Sequence, residues 1–162
     1  MSQVKSTLET IYDGWQEYQE KLIQALEPLT MQQLNLRPAA HLRSIGEIAR
    51  HIIGARGRWF FDEMEEGGAE MDALGIWDRR GQPTRSAAEL VAGLRATWRV
   101  MHTCLERWTE ADLAFVFKGE DSEGPFESSR SWVVWHLIEH DLHHGGEIFI
   151  TLGMHGLPTP NI

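Results

Sequence analysis

Apolar residues recur along this chain in steps of three and four, and the steps outline four long amphipathic helices. Leu8, Ile11, Trp15, Tyr18, Leu22 and Leu26 mark the first, expected over about residues 2–26 with this whole stripe in the core. Pro28 closes it, and Thr30-Met31-Gln32-Gln33 is a capping-box pattern that predicts one short turn through Leu34. Arg37-Pro38-Ala39-Ala40 breaks the chain. A second capping box, Ser44-Ile45-Gly46-Glu47, starts a helix whose stripe is Ile45, Ile48, Ile52, Ala55 and Trp59, with Gly67-Gly68 as its end. Residues 75–84 read as a loop punctuated by Gly81 and Pro83. A third box, Ser86-Ala87-Ala88-Glu89, opens the helix of Leu90, Leu94, Trp98, Met101, Leu105 and Trp108. Residues 109–130 are the least regular. Phe115-Val116-Phe117 and Pro125-Phe126-Glu127 flank an acidic, turn-like segment, which predicts a short hairpin or an ordered loop.

The last helix is expected from Ser129 or Ser131, with Gly153 and Gly156 at its end, and its pattern differs from the others. Leu137, Ile138, Leu142, Ile148, Phe149 and Leu152 form an apolar side. His136, His140 and His144 climb the opposite side at spacing i, i+4, i+8, with His143 and Glu147 beside them. Any one of these histidines reads most simply as a structural or solvated residue. Four in nine residues at this spacing point to metal, because two imidazoles one turn apart reach one ion. A catalytic site usually needs a third protein ligand. His51, on the border of the second helix's buried stripe, is the favoured candidate, ahead of His41 in the preceding loop. Gly145-Gly146 sits in mid-helix, where each Gly costs about 1 kcal/mol against Ala, so the pair predicts close approach of another backbone or a bound group.

Composition narrows the classes. The chain has 162 residues, 42% of them hydrophobic and 7 of them Trp, which suits one domain over residues 1–162 with a proper core. The net charge of -9 argues against a nucleic-acid partner. No apolar run approaches the roughly 20 residues of a membrane span. Met-Ser-Gln-Val-Lys at the start lacks a secretory hydrophobic segment, and the single Cys excludes an intrachain disulfide; both fit a cytoplasmic setting. Cys104 reads as a small core residue and His102 as a surface one. The protease pattern H-E-x-x-H, the Glu-x-x-His pairs of di-iron bundles, G-x-S-x-G and C-x-x-C-H are all absent.

The long helices with short connections predict an all-α four-helix bundle, a fold that commonly builds metal sites between facing helices. Three stretches carry a resemblance: residues 29–38, the run from Ser44 to His51, and above all Trp135-His136-Leu137-Ile138-Glu139-His140-Asp141-Leu142-His143-His144-Gly145-Gly146-Glu147-Ile148. Together they resemble the DinB-like superfamily, which also contains YfiT-type metal hydrolases. The resemblance implies a four-helix bundle with an unusual helix order, a divalent metal held by His51, His140 and His144, and a homodimer. It also implies thiol-dependent transferases that use low-molecular-weight thiols. His136 is an imidazole beyond this triad.

Three neutral imidazoles would leave the ion's charge uncompensated and a coordination position open. A bound water would then have its pKa lowered towards roughly 7, or a bound thiol would lose its proton. Zinc suits both reactions, and nickel, iron or cobalt also fit such a site. The leading expectation is a thiol S-transferase acting on a small-molecule electrophile. A metal-dependent hydrolase is the alternative, and a non-catalytic scaffold stapled by metal is a third. Glu147 is expected to orient a ligand or act as a base, and His136 reads as a proton shuttle, a spare ligand or a plain polar residue, the last being the simplest reading. Glu47, one turn before His51, is expected to cap its helix or to reach the second ring nitrogen of His51. Asp141 is expected to be a structural hydrogen-bond acceptor.

Overall fold

The computed structural model describes residues 5–121 and 123–161. Its elements are α1 (Thr7–Leu26), α2 (Met31–Leu34), α3 (Ile45–Arg58), α4 (Gly68–Gly75), α5 (Ala87–Arg107), α6 (Glu110–Leu113), the hairpin strands β1 (Val116–Asp121) and β2 (Gly124–Ser129), and α7 (Arg130–Met154). Capping sets most of the helix starts. Ser6, Thr30, Ser44, Ser86 and Thr109 each accept from the backbone N–H three residues on, and the side chain of that third residue returns to the cap. The first helix therefore begins at Thr7, later than its apolar pattern implied; residues 2–4 of that expectation lie outside the described residues. Leu8 and Ile11 are exposed, so the buried stripe of α1 starts only at Trp15.

The four long helices close a ring. α1 packs on α5 and α7, and α3 packs on α5 and α7, which sets α1 diagonally opposite α3. Of the consecutive long helices only α3 and α5 are therefore neighbours, while α1 and α3, and α5 and α7, stand across the ring from each other, the unusual order that the resemblance implied. One contiguous core joins them, with Leu22, Leu26, Ile52, Ile53, Leu90, Leu94, Met101, Leu137 and Leu152 at full burial. Cys104 lies in that core. Its thiol is pushed up from its ordinary range by burial.

Between α3 and α4 the structure departs from the sequence pattern. The helix does not run to Gly67-Gly68. It widens into a π turn at Trp59–Glu63, and Gly67, at φ 80°, caps the unpredicted α4. α4 crosses α3 closely because Gly57 and Gly75 meet there: a Cβ on Gly57 would stand 2.5 Å from the backbone nitrogen of Gly75. The turn after α4 then brings Asp78 against Gly54, where a Cβ would meet the Asp78 carboxylate at 2.5 Å. The hairpin pairs Val116 with Ser129 and Asp121 with Gly124, and Arg130 N–H bonds to the Phe115 carbonyl, so β2 runs straight into α7.

Within α7, Leu142 is exposed although it lies on the predicted apolar side. Gly145 and Gly146 separate in role. A Cβ on Gly145 would collide with the ring of Tyr18 and with Leu22, so α1 makes the close approach with side chains, not backbone. Gly146 faces open space. Beneath the histidine face, Asp141 and Arg56 form an ion pair with both side chains fully buried. Arg56 donates through Nε (3.1 Å) and Nη2 (2.7 Å) to Asp141 Oδ2, which also accepts from Trp15 Nε1 at 2.7 Å; Arg56 Nη1 donates to Thr97. Asp141 is the structural acceptor that its position on the helix implied.

Candidate metal centre

His51 projects from α3, and His140 and His144 from facing turns of α7. Their rings crowd together, with centroids 4.8 Å apart for His51 and His140, 4.7 Å for His51 and His144, and 4.4 Å for His140 and His144. One ring nitrogen from each lies within 4.8 Å of the others. His140 Nε2 stands 3.1 Å from His51 Nε2, close to the about 3.3 Å that separates neighbouring nitrogens around a tetrahedral ion with bonds near 2.0 Å.

The outer nitrogens fix the tautomers. His51 Nδ1 lies 2.7 Å from Asp78 Oδ2, and His144 Nδ1 lies 2.7 Å from Glu147 Oε2. A carboxylate only accepts, so each Nδ1 carries the proton, and the Nε2 lone pair is free to face the centre of the cluster. Asp78 is itself gripped by Arg58, through Nη1 to Oδ1 at 2.5 Å and Nη2 to Oδ2 at 3.0 Å. Burial raises the Asp78 carboxyl, but hydrogen bonds from His51 and Arg58 outweigh it and hold the group well below the usual carboxylate range. His140 has no carboxylate; its Nδ1 is buried without a partner among the described residues, and neighbouring rings hold it in place.

Burial and the adjacent imidazoles push His140 down to about 3. Burial also lowers His144, against the opposing pull of Glu147. Both rings are therefore neutral at pH 7, the form that binds a metal. Donor type, spacing and protonation state all fit a divalent cation. The chain places no carboxylate or thiol within this group of three, so the ligand set is uncharged.

Other predicted residues fall elsewhere. His136 is outside the triad: its Nδ1 bonds to Glu139 at 3.0 Å, its ring stacks on Trp132 with 6° between planes, and its centroid is 6.0 Å from that of His140. Glu147 stands on His144 and, more loosely, 3.6 Å from His143; with His143 and His144 it forms a second, more exposed group of ligand-type atoms. Glu47 does not reach His51. It caps α3 through Ser44 and pairs with Arg37 at 2.7 Å, and Asp78 takes the place expected for it. His41 is exposed in the loop before α3. His102 is partly exposed and 3.5 Å from Glu106.

Asp78 was the residue the sequence hid. It lies in a loop with no periodicity, 27 positions from its histidine, and no spacing rule links them. Arg56 left a trace, an arginine one turn after Ile52 on a buried stripe, matched by an aspartate among the buried positions of α7.

The sequence profile of the DinB superfamily matches residues 15–148, which span both helices that carry the imidazoles. Among solved structures, a DinB-like protein from Bacillus cereus superposes with a TM-score of 0.73 at 23% identity, covering 95% of this chain and 96% of that one. A conserved protein from Enterococcus faecalis superposes at 0.68 with 13% identity, covering 91% and 96%. At these identities the likeness speaks for the fold. No functionally curated protein matches the sequence.

Proposed function

Taking as premise that this chain belongs to the DinB superfamily, we propose that it is a metal-dependent thiol S-transferase built on His51, His140 and His144. The observation that carries the reading is the approach of His51 Nε2 to His140 Nε2 at 3.1 Å, with His144 beside them and outer carboxylates setting two of the three rings. A divalent cation held there would keep its full charge and a vacant position, and so lower the pKa of a thiol or water that reached it.

The chain's own residues favour a thiol from outside. Cys104 is buried in the core and cannot serve as the nucleophile. Asp78 and Glu147, the carboxylates that touch the cluster, are both engaged on imidazole N–H groups, which leaves neither free as the general base that water attack would use. Their role is to aim His51 and His144. His136 receives the thiol proton and passes it to solvent; its ring is near His140 and its side chain is about a quarter exposed, at 27%. The sulfur then forms its bond to a small-molecule electrophile, and the electrophile's leaving group departs with the displaced electron pair.

The test loads the protein with zinc and, separately, nickel, then follows monochlorobimane conjugation with a panel of small thiols. Thiol-dependent turnover that disappears in H140A is expected. No rate above that control for any thiol removes the transferase reading. Metal-dependent turnover of esters or lactones in its place would reassign the centre to hydrolysis.

A further inference from the structure

The cavity that touches the imidazole cluster has an unusual charge. It encloses about 290 Å³ beside His51 and Asp78, and Arg43, Arg50, Arg79 and Arg80 line it. The chain is acidic, with 24 carboxylate residues against 15 basic ones, so arginines have carboxylates to spare. Arg37, Arg56, Arg58, Arg85, Arg99 and Arg107 each hold one. Among the described residues, Arg43, Arg50, Arg79, Arg80, Arg95 and Arg130 hold none, and the first four of these surround this one cavity.

The two acids in the lining do not neutralise them. Glu47 is bound by Arg37, and Asp78 by Arg58 and His51. Arg50 is fixed by two carbonyls, donating through Nη1 to Pro83 at 3.1 Å and Gln82 at 3.4 Å, which leaves its charge uncompensated. Arg79 and Arg80 are exposed on the turn that directly follows Asp78. A concave wall whose four guanidinium groups hold no carboxylate of their own is a receptor for a planar or tetrahedral oxyanion, which the fork of an arginine meets with paired hydrogen bonds.

We propose that this cavity is an anion subsite, and that the substrate of the metal centre is a small molecule carrying a carboxylate or phosphate that docks on Arg43, Arg50, Arg79 and Arg80. The assignment of a substrate rests on the metal-centre reading; the anion site itself does not, and the experiment separates them. Inorganic phosphate and malonate are titrated calorimetrically, at low salt, into metal-free protein, so that no cation can supply the binding. Saturable binding is expected. R79Q/R80Q, whose exposed side chains make no hydrogen bond or ion pair among the described residues, should weaken it about tenfold or more. R95Q, an exposed arginine away from the cavity, should leave it unchanged. Tighter phosphate than malonate assigns a phosphate ester, and the reverse a carboxylate. Absence of binding by the wild-type protein, or equal binding by R79Q/R80Q, overturns the proposal, as does an equal loss in R95Q. Zinc titration of the same proteins reports on the other reading: R79Q/R80Q should keep zinc, whereas H140A should lose zinc and retain phosphate.

Discussion

Asp141 sits one residue from a candidate ligand and points the other way, into the core. Three hydrogen-bond donors converge on it, from Arg56 and from Trp15, with no solvent at either member of the ion pair. Removing one partner strands the other charge in a low-dielectric interior, which costs more than the intact pair contributes. D141A is therefore expected to lose about 3–5 kcal/mol in urea unfolding. R56M/D141L, which removes both charges, should lose clearly less than D141A. A double mutant as unstable as the single one would contradict this account. The same pair marks what a sequence can disclose about residues. Opposite charges on two buried stripes were legible in principle, since an apolar face with one arginine and another with one aspartate invite pairing. Asp78 was not, because a loop residue reveals its partner only once the chain has turned back over Gly54 and Gly57.

At the scale of elements, periodicity and capping located every long helix, because each is specified by residues a few positions apart, whereas the segment before α7 read as either a hairpin or an ordered loop and is a hairpin. What they missed is short and held by tertiary contact. α4 follows a Gly-Gly pair that looked like a terminus, and its place depends on the backbone crossing at Gly57 and Gly75. α6 opens with Thr109 and Asp112, a capping box with Asp in place of Glu or Gln. The two glycines of α7 give a sharp comparison. G146A fills open space and removes a helix penalty, so it should stabilise by about 0.5–1 kcal/mol. G145A meets Tyr18 and Leu22 and should destabilise by about 1–3 kcal/mol. Thermal melts of the two variants in parallel check the pair, and equal shifts of one sign would mean that α1 does not press on α7 as described.

For the whole molecule, the imidazole cluster joins α3 to α7, two helices separated in sequence by α4, α5, α6 and the hairpin. An ion bound there is bound by the native arrangement and not by the open chain, so it stabilises by mass action. With free metal at about a hundred times the dissociation constant, the gain is about 2.7 kcal/mol, which for a chain of this size raises Tm by about 5–10 °C. Melting curves with zinc and with excess EDTA should differ by that amount in the wild-type protein and coincide in H140A.

The lone sulfhydryl at position 104 has a practical corollary. Sealed inside the bundle and reluctant to ionise, it should stay silent toward alkylating dyes while the protein is native. A cysteine engineered anywhere on the exterior would then be the sole handle, and a fluorophore or spin label could be seated at the rim of the arginine-lined cavity without first deleting anything.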